Sequence, residues 1–399
     1  LTYDLSPRPL PLSNHTASPR FYPLPLPDVL PLSVSRDSSL PLIDFVEDYL
    51  GGHGVTCRRV YDETGQKANL YALVGPEAPG GVILSGHTDV VPVDGQAWDT
   101  DPFTVTERDG KLFGRGTCDM KGFNAIGLAM VPDMLAAGLK KPIQIALSYD
   151  EEVGCIGAPL MIAEMAKTMP PASACIVGEP SMMKVVTQHK GSVGMMTKVH
   201  GFEIHSSLMH EGVSAVMTAA RLVNWLHEQT QANMANADPA SPFYPPFTTL
   251  HSGTIQGGTA GNITARYCEF LTDIRVTPPD TAQMWFERYS ARVAEVEREI
   301  QAIRPEARIE IVLRMMNPPC VREDAGEAEM LARAITGDNS ENVVSYGTEA
   351  GQFQEGGFST CICGPGSIEQ AHQPNEFIAI EQLDAGEAFM LNLIARLSA

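Results

Sequence analysis

Five stretches of this chain run into side chains that can ligate a metal ion or carry a proton. GVILSGHTD places His87 and Asp89 directly after an apolar run, and GRGTCDMKG holds Asp119 in a glycine-rich loop. IALSYDEEVG runs into Asp150, Glu151 and Glu152, ACIVGEPS into Glu179, and TCICGPGSIEQAH reaches His372 through a glycine-rich turn. Each has an ordinary structural explanation when taken alone. His87 suits a hydrogen-bonded core histidine, Asp119 a helix cap, Glu151 and Glu152 a solvated helix start, Glu179 a turn before proline, and His372 the surface. Five such residues at strand ends of one sheet point instead to a shared site.

Imidazole and carboxylate are the ligands zinc takes, and a catalytic zinc site keeps a position open for water. One histidine and one terminal carboxylate per metal, with one bridging aspartate, gives a symmetric pair. His87 and Glu179 are expected to hold one ion, Glu152 and His372 the other, with Asp119 between them. Asp89 lies too close to His87 to be needed as a ligand, and it suits the acceptor that takes the other imidazole N–H and fixes the tautomer. Glu151 and Glu152 leave a strand together and are expected to point in opposite directions. That leaves Glu151 as a free carboxylate beside the metals, the position of a general base.

The elements that must present these residues follow from the hydrophobic pattern. Residues 40–50 read as an amphipathic helix stopped by Gly51-Gly52, residues 70–75 and 81–86 as strands, and residues 120–138 as one helix ended by Gly138. A strand at 143–149, a helix at 158–169 and a strand at 174–178 continue an alternation that specifies an α/β layer with parallel strands. In open α/β sheets, ligands bind outside the carboxyl ends of the strands, so the five stretches converge on one rim. From about residue 184 the order becomes strand–helix–strand–strand–helix–strand, with long helices at 212–230 and 281–303. This is the split βαβ order of a small α+β sandwich. The α/β texture resumes near Asn317, with a strand at 359–364 and a closing helix. The expected organisation is therefore an atypical proline-rich segment (1–32), a catalytic domain in two parts (33–183 and 317–399) and an inserted domain (184–316). Residues 1–32 carry eight prolines, which disfavour regular structure, and none of them is assigned to the site.

Composition narrows the class further. The chain has 399 residues, 44% hydrophobic and 19% charged, with a formal net charge of −20. Nucleic-acid binding needs a basic face, which this balance opposes. No apolar run reaches 18 residues, so no membrane span is expected, and no secretory signal is read at the start. The eight cysteines form no CxxC pair. They read as reduced thiols of a cytoplasmic protein rather than a disulfide framework.

The ordered set GHTDVVP, GRGTCDMKG, SYDEEVG, GEPS, GFEIHSS, GGTAGNITA, DIR, GTEAGQF and CGPGSIEQAHQPNEFI resembles the acetylornithine deacetylase and succinyl-diaminopimelate desuccinylase family of dinuclear zinc amidohydrolases, over residues 33–399. The last of these stretches is most similar to acetylornithine deacetylases. The resemblance implies a catalytic domain on a central mixed sheet flanked by helices, a ferredoxin-like lid, and a homodimer formed through the lids. It implies two zinc ions, with cobalt as a substitute, and a small N-acyl L-amino acid as substrate, N2-acetyl-L-ornithine foremost. It also implies that His205 reaches a neighbouring subunit's site to stabilise the oxyanion, and that Asn262 and Arg275 bind the substrate carboxylate. A desuccinylase, a general aminoacylase or a dipeptidase would share this site. A non-catalytic metal-binding protein would have no use for the free carboxylate of Glu151.

Overall fold

The structure, a computed structural model, describes residues 33–399; the expectation for residues 1–32 lies outside the described residues. After α1 (Leu40–Gly52) come β1 (Cys57–Tyr61), β2 (Ala68–Val74), β3 (Gly81–His87) and the short β4 (Thr106–Arg108) and β5 (Lys111–Phe113). Next are α2 (Gly122–Ala129), α3 (Val131–Ala136), β6 (Ile143–Ser148), α4 (Ala158–Thr168), β7 (Ala172–Pro180) and β8 (Val186–His189). The inserted sandwich comprises β9 (Gly191–His200), α5 (Ala215–Ala235), β10 (Thr249–Gly257), β11 (Tyr267–Val276), α6 (Ala282–Gln301) and β12 (Arg308–Asn317). The chain ends with α7 (Glu327–Thr336), β13 (Asn342–Val344), α8 (Ala350–Glu355), β14 (Thr360–Gly364), β15 (Phe377–Ala379) and α9 (Ile380–Ser398).

Strands buried on both faces read as apolar runs rather than alternations, and every residue of β3 and β6 is buried. They lie inside an eight-stranded sheet of order β1-β2-β6-β3-β7-β14-β8-β13. The pairs β3–β6, β3–β7 and β7–β14 are parallel, whereas β1–β2, β2–β6 and β8–β14 are antiparallel. The expected parallel layer is thus the centre of a mixed sheet. Helices cover both faces. Ile43, Val46, Phe123, Ile126 and Leu393 pack on one side, and Met161, Ile162, Ala350 and Phe353 on the other.

The inserted unit has the four-stranded order β10-β11-β9-β12, antiparallel throughout. In chain order this is 2-3-1-4, the arrangement of a split βαβ sandwich. Strand β11 alternates buried and half-buried residues, as expected for a sheet covered on one face; α5 and α6 supply the cover through Leu222, Leu226, Trp285 and Tyr289. Strand β8 follows the boundary expected at 183/184 yet pairs in the large sheet, and the small sheet begins at Gly191.

Two local features depart from the sequence reading. The helix expected over 120–138 is two helices, α2 and α3, broken at Met130. Pro132 lies in the first turn of α3, where its missing N–H is tolerated, but within one continuous helix it would remove a bond. The three-residue strands β4, β5 and β15 form a separate small sheet, too short to be read from periodicity.

Gly178 marks a close approach between β7 and α2, since a Cβ there would stand 2.1 Å from Cγ and Cδ1 of the Phe123 ring. Gly178→Ala is expected to destabilise the protein by about 1–3 kcal/mol through overpacking, measured by denaturant unfolding. An unchanged midpoint would show that the ring can move aside.

Candidate active site

The parallel centre of the sheet brings the expected residues together. His87 closes β3, the Glu151–Glu152 turn follows β6, Glu179 lies near the end of β7, and His372 follows β14. Asp119 sits in an irregular turn, Thr117–Lys121, with extended backbone angles of its own. His87, Asp89, Asp119 and Glu179 are at most 5% exposed.

Asp119 divides its two oxygens. Oδ1 is 3.1 Å from His87 Nε2, and Oδ2 is 3.3 Å from His372 Nε2. His372 Nε2 also lies 2.9 Å from Glu152 Oε2, and His87 Nε2 lies 3.9 Å from Glu179 Oε1. Each imidazole therefore has a terminal carboxylate and a share of the same aspartate. Among the described residues, two donor groups are compact enough to hold a metal ion, His87–Glu151–Glu179 and His87–Asp119–Glu152.

The electrostatics explain what these groups lack. Burial and then the neighbouring Asp119 charge push Glu152 up to about 7. Burial, with Asp119 and Glu151, drives Glu179 well above the ordinary carboxylate range. Burial is also the largest cause of the strong upward shift of Glu151; His87 opposes it, while Glu152 and Glu349 add to it. Burial works against ionisation of Asp119 as well, but hydrogen bonds from His372 and His87 hold it below its usual range. The hydrogen bonds to Asp119 and Glu152 raise His372 to about 10. Carboxylates so arranged take up protons unless cations compensate them, and imidazole plus carboxylate is a fitting donor set for divalent zinc or cobalt.

Asp89 departs from its expected job. The His87 Nδ1 partner is the carbonyl oxygen of Asp89 at 2.9 Å, and the carboxylate stands back at 3.6 Å. The chain bends at the strand end, which brings the backbone rather than the side chain to the ring. The carboxylate instead accepts the Ser35 hydroxyl at 2.7 Å, the Glu151 N–H at 3.0 Å and the Glu152 N–H at 3.3 Å. Lys67 Nζ ties the same place together by donating to the Ser35 carbonyl and to Asp150 Oδ1. Glu151 and Glu152 diverge because they occupy this tight turn, after Asp150 at φ 56°, and not through strand alternation.

A cavity of about 340 Å³ opens on the centre. Glu151, Glu152, Glu179 and His372 line it together with lid residues Ser192, Arg275, Met315 and Asn317. The Cys155 thiol in its wall donates to Glu151 Oε1 at 3.1 Å. His205 and Asn262 do not line this cavity. They lie beside each other, exposed: Ser206 N–H donates to the Asn262 carbonyl at 2.8 Å, and His205 Nδ1 pairs with the Ser207 hydroxyl. Arg275 and Asn262 are thus separated rather than adjacent. Arg275 is near the far end of β11, eight residues beyond its start at Tyr267, or about 27 Å along a strand rising roughly 3.4 Å per residue.

Sequence reasoning missed Ser35, Lys67, Arg115, Cys155 and Glu376. Arg115 and Glu376 stood inside motifs already singled out, so their charge was a usable signal; Ser35 offered none.

An α/β sandwich with histidines and carboxylates gathered at the carboxyl ends of its parallel strands, under a split βαβ lid, defines a metallohydrolase. Residues 83–396 match the sequence profile described as Peptidase family M20/M25/M40, and the chain belongs to that family. It is 36% identical over 365 residues to an acetylornithine deacetylase of Myxococcus xanthus, covering 90% of this chain and 92% of that one. It is 32% identical over 363 residues to an acetylornithine deacetylase of Pasteurella multocida (strain Pm70), covering 90% and 91%. The fold matches an M20 family metallo-carboxypeptidase from Sulfolobus solfataricus, with TM-score 0.75, 16% identity and coverage of 96% and 99%. It also matches a tripeptidase from Staphylococcus aureus, with TM-score 0.70, 19% identity and coverage of 95% and 98%. The family resemblance read from the motifs holds.

Two outcomes follow. Asp89→Asn replaces an acceptor of three hydrogen bonds by a mixed donor–acceptor, and metal affinity is expected to fall about ten- to a hundred-fold, measured by chelator competition. Metal uptake is also expected to release protons and to weaken as pH falls through about 7, where Glu152 takes up its proton. His372, raised to about 10, is already protonated there and must lose its proton to bind. Calorimetry in buffers of different ionisation enthalpy checks this, and pH-independent affinity would contradict it.

Proposed function

We propose that this chain hydrolyses the amide bond of N-acyl L-amino acids, with N2-acetyl-L-ornithine as the favoured substrate, releasing acetate and L-ornithine in arginine biosynthesis. The observation that carries the substrate class is the cavity lining. Among the described residues, Arg275 is the only lysine or arginine there, beside apolar Met315, Tyr346 and Ile368. One cation suits one α-carboxylate, and the apolar wall suits an acetyl group or an aliphatic chain. The names carried by the Myxococcus and Pasteurella relatives agree with this choice. A succinyl group would bring a further carboxylate with no matching cation in the same lining.

Asp119, with His87 and Glu179 on one side and Glu152 and His372 on the other, would hold two divalent ions, zinc or cobalt. When bound, such ions supply Lewis acidity at the amide carbonyl and at the attacking water. Glu151, half-buried and acting as the base rather than as a ligand, takes a proton from that water as its oxygen attacks the carbonyl carbon. It then delivers the proton to the amine nitrogen as the carbon–nitrogen bond breaks. Arg275 holds the α-carboxylate. His205 and Asn262 act from a second copy, in a homodimer joined through the lids: His205 donates to the oxyanion, and Asn262 to the carboxylate. That Arg275 lines the cavity while Asn262, in the loop before β11, does not supports this reading. The eight free cysteines accord with a reducing cytoplasm.

A hydrolysis panel tests the substrate: N2-acetyl-L-ornithine, N-succinyl-diaminopimelate, other N-acetyl amino acids and a dipeptide. Preference for the succinyl compound or the dipeptide would overturn the assignment. Glu151→Gln is expected to keep its metal and lose about a hundred- to ten-thousand-fold in turnover; more than half of wild-type turnover would remove Glu151 from its role. His205→Ala is expected to lose about a hundred- to a thousand-fold. A heterodimer of these two variants carries one intact site, so it should regain up to about half of wild-type activity per dimer. No recovery in verified heterodimers would exclude donation between subunits.

A further inference from the structure

Arg115 and Glu376 are each 1% exposed, and the chemistry above uses neither. Glu376 Oε2 accepts from Arg115 Nη1 at 2.7 Å. Its other oxygen accepts two backbone N–H groups, those of Cys118 at 2.9 Å and Asp119 at 3.1 Å. Its carbonyl accepts the Gly114 N–H at 2.9 Å. One side chain thus grips the turn that presents Asp119, and it belongs to the segment that also presents His372.

The guanidinium holds the other end. Arg115 Nη2 donates to Gln96 Oε1 at 2.6 Å and to the His372 carbonyl at 3.4 Å, and Nη1 donates to the Gln373 carbonyl at 3.3 Å. Gln96 Nε2 donates to the same His372 carbonyl at 2.9 Å. His372 has φ 64°, a left-handed conformation that a non-glycine residue keeps only when its surroundings impose it. The Arg115 ring of contacts is capped by Trp98, whose indole lies 5.3 Å from the guanidinium carbon.

A buried ion pair adds little net stability to a fold. What the planar fork of arginine and a carboxylate do supply is direction. Here that direction is shared between the backbone of Asp119 and the backbone of His372, whose side chains meet at 3.3 Å.

We infer that Arg115 and Glu376, completed by Gln96, form a positioning element that fixes Asp119 and His372 in one frame and so sets the affinity of the cation site between them. This rests on the two-ion reading of the centre. Gln96 holds the His372 carbonyl directly and reaches the Asp119 side only through Arg115, so its loss weakens chiefly the cation on the His372 side. Glu376 holds the Asp119 turn, Arg115 holds the His372 and Gln373 carbonyls, and their ion pair joins the two sides, so altering either weakens both. Arg115→Lys keeps the charge but removes the fork and does not restore the frame.

The test is equilibrium titration of the metal-free full chain with Zn²⁺ under chelator competition, and with Co²⁺ followed by its visible absorption. Gln96→Ala is expected to bind one ion as wild type does and the second about ten- to a hundred-fold more weakly, with a changed Co²⁺ spectrum. Arg115→Lys and Glu376→Gln are expected to weaken both ions by a similar factor. Wild-type affinities and spectra in Gln96→Ala and Arg115→Lys would overturn the inference. Gln96 is only half-buried, so its variant decides the matter even where Glu376→Gln does not fold. A wild-type protein that takes up a single ion would instead overturn the two-ion reading, and the inference would then stand or fall on whether Gln96→Ala weakens that ion.

Discussion

The carboxylate of Asp119 faces two imidazoles at once, 3.1 Å from one and 3.3 Å from the other, and the Glu376 carboxylate holds its backbone N–H there. Glu179 and Glu152 flank Asp119, while Glu151 stands close by. Two like charges about 4 Å apart repel by about 4 kcal/mol at an effective dielectric of about 20, so these carboxylates oppose one another wherever solvent is excluded. The protein meets that repulsion with imidazoles and with a geometry suited to cations. The same burial that makes the cluster costly in isolation makes it a strong receptor for positive charge.

That constraint separates what could be read from the chain and what could not. His87, Glu152, Glu179 and His372 were legible because side chains with lone pairs follow apolar strands at their carboxyl ends, whereas Asp119, expected at a strand end of the same sheet, lies in an irregular turn after β5 of the small sheet and was legible only from its glycine-rich loop. The lid was legible through its element order, and the 2-3-1-4 sheet followed from it. The task of Asp89 was not legible, since spacing cannot tell whether a carbonyl or a carboxylate reaches a ring two residues back. Ser35 was not legible at all, because a hydroxyl 54 residues away in sequence gives no local pattern. The break at Met130 turned on a single proline, and the small sheet β4-β5-β15 on strands of three residues; both lie below the reach of periodicity.

The lid carries a division of labour along one strand. Arg275 is set into the cavity at one end of β11, while the loop holding Asn262 lies past the other end and shares its backbone bonds with the His205 turn. β11 sits between β9 and β10, so neither end can shift without the sheet. A single rigid ladder therefore fixes how far apart two polar groups stand.

Vectorial synthesis gives the contact between Glu376 and the Asp119 turn a further meaning. The carboxylate that orders residues 118 and 119 emerges from the ribosome 257 residues after Asp119, and His372 follows β14, the last strand of the large sheet in chain order. A nascent chain can pair β3, β6 and β7 long before it owns either group. During that interval His87, Glu151, Glu152 and Glu179 already lie on one rim, with no frame for Asp119 and no second imidazole. Maturation of the centre is thereby a closing event, in which residues 372–376 return to segments made much earlier. A chain cut short before residue 372 would lose the second imidazole, the frame for Asp119 and the α9 residues Leu383, Phe389 and Leu393 that cover the sheet, so the centre and the core are completed together.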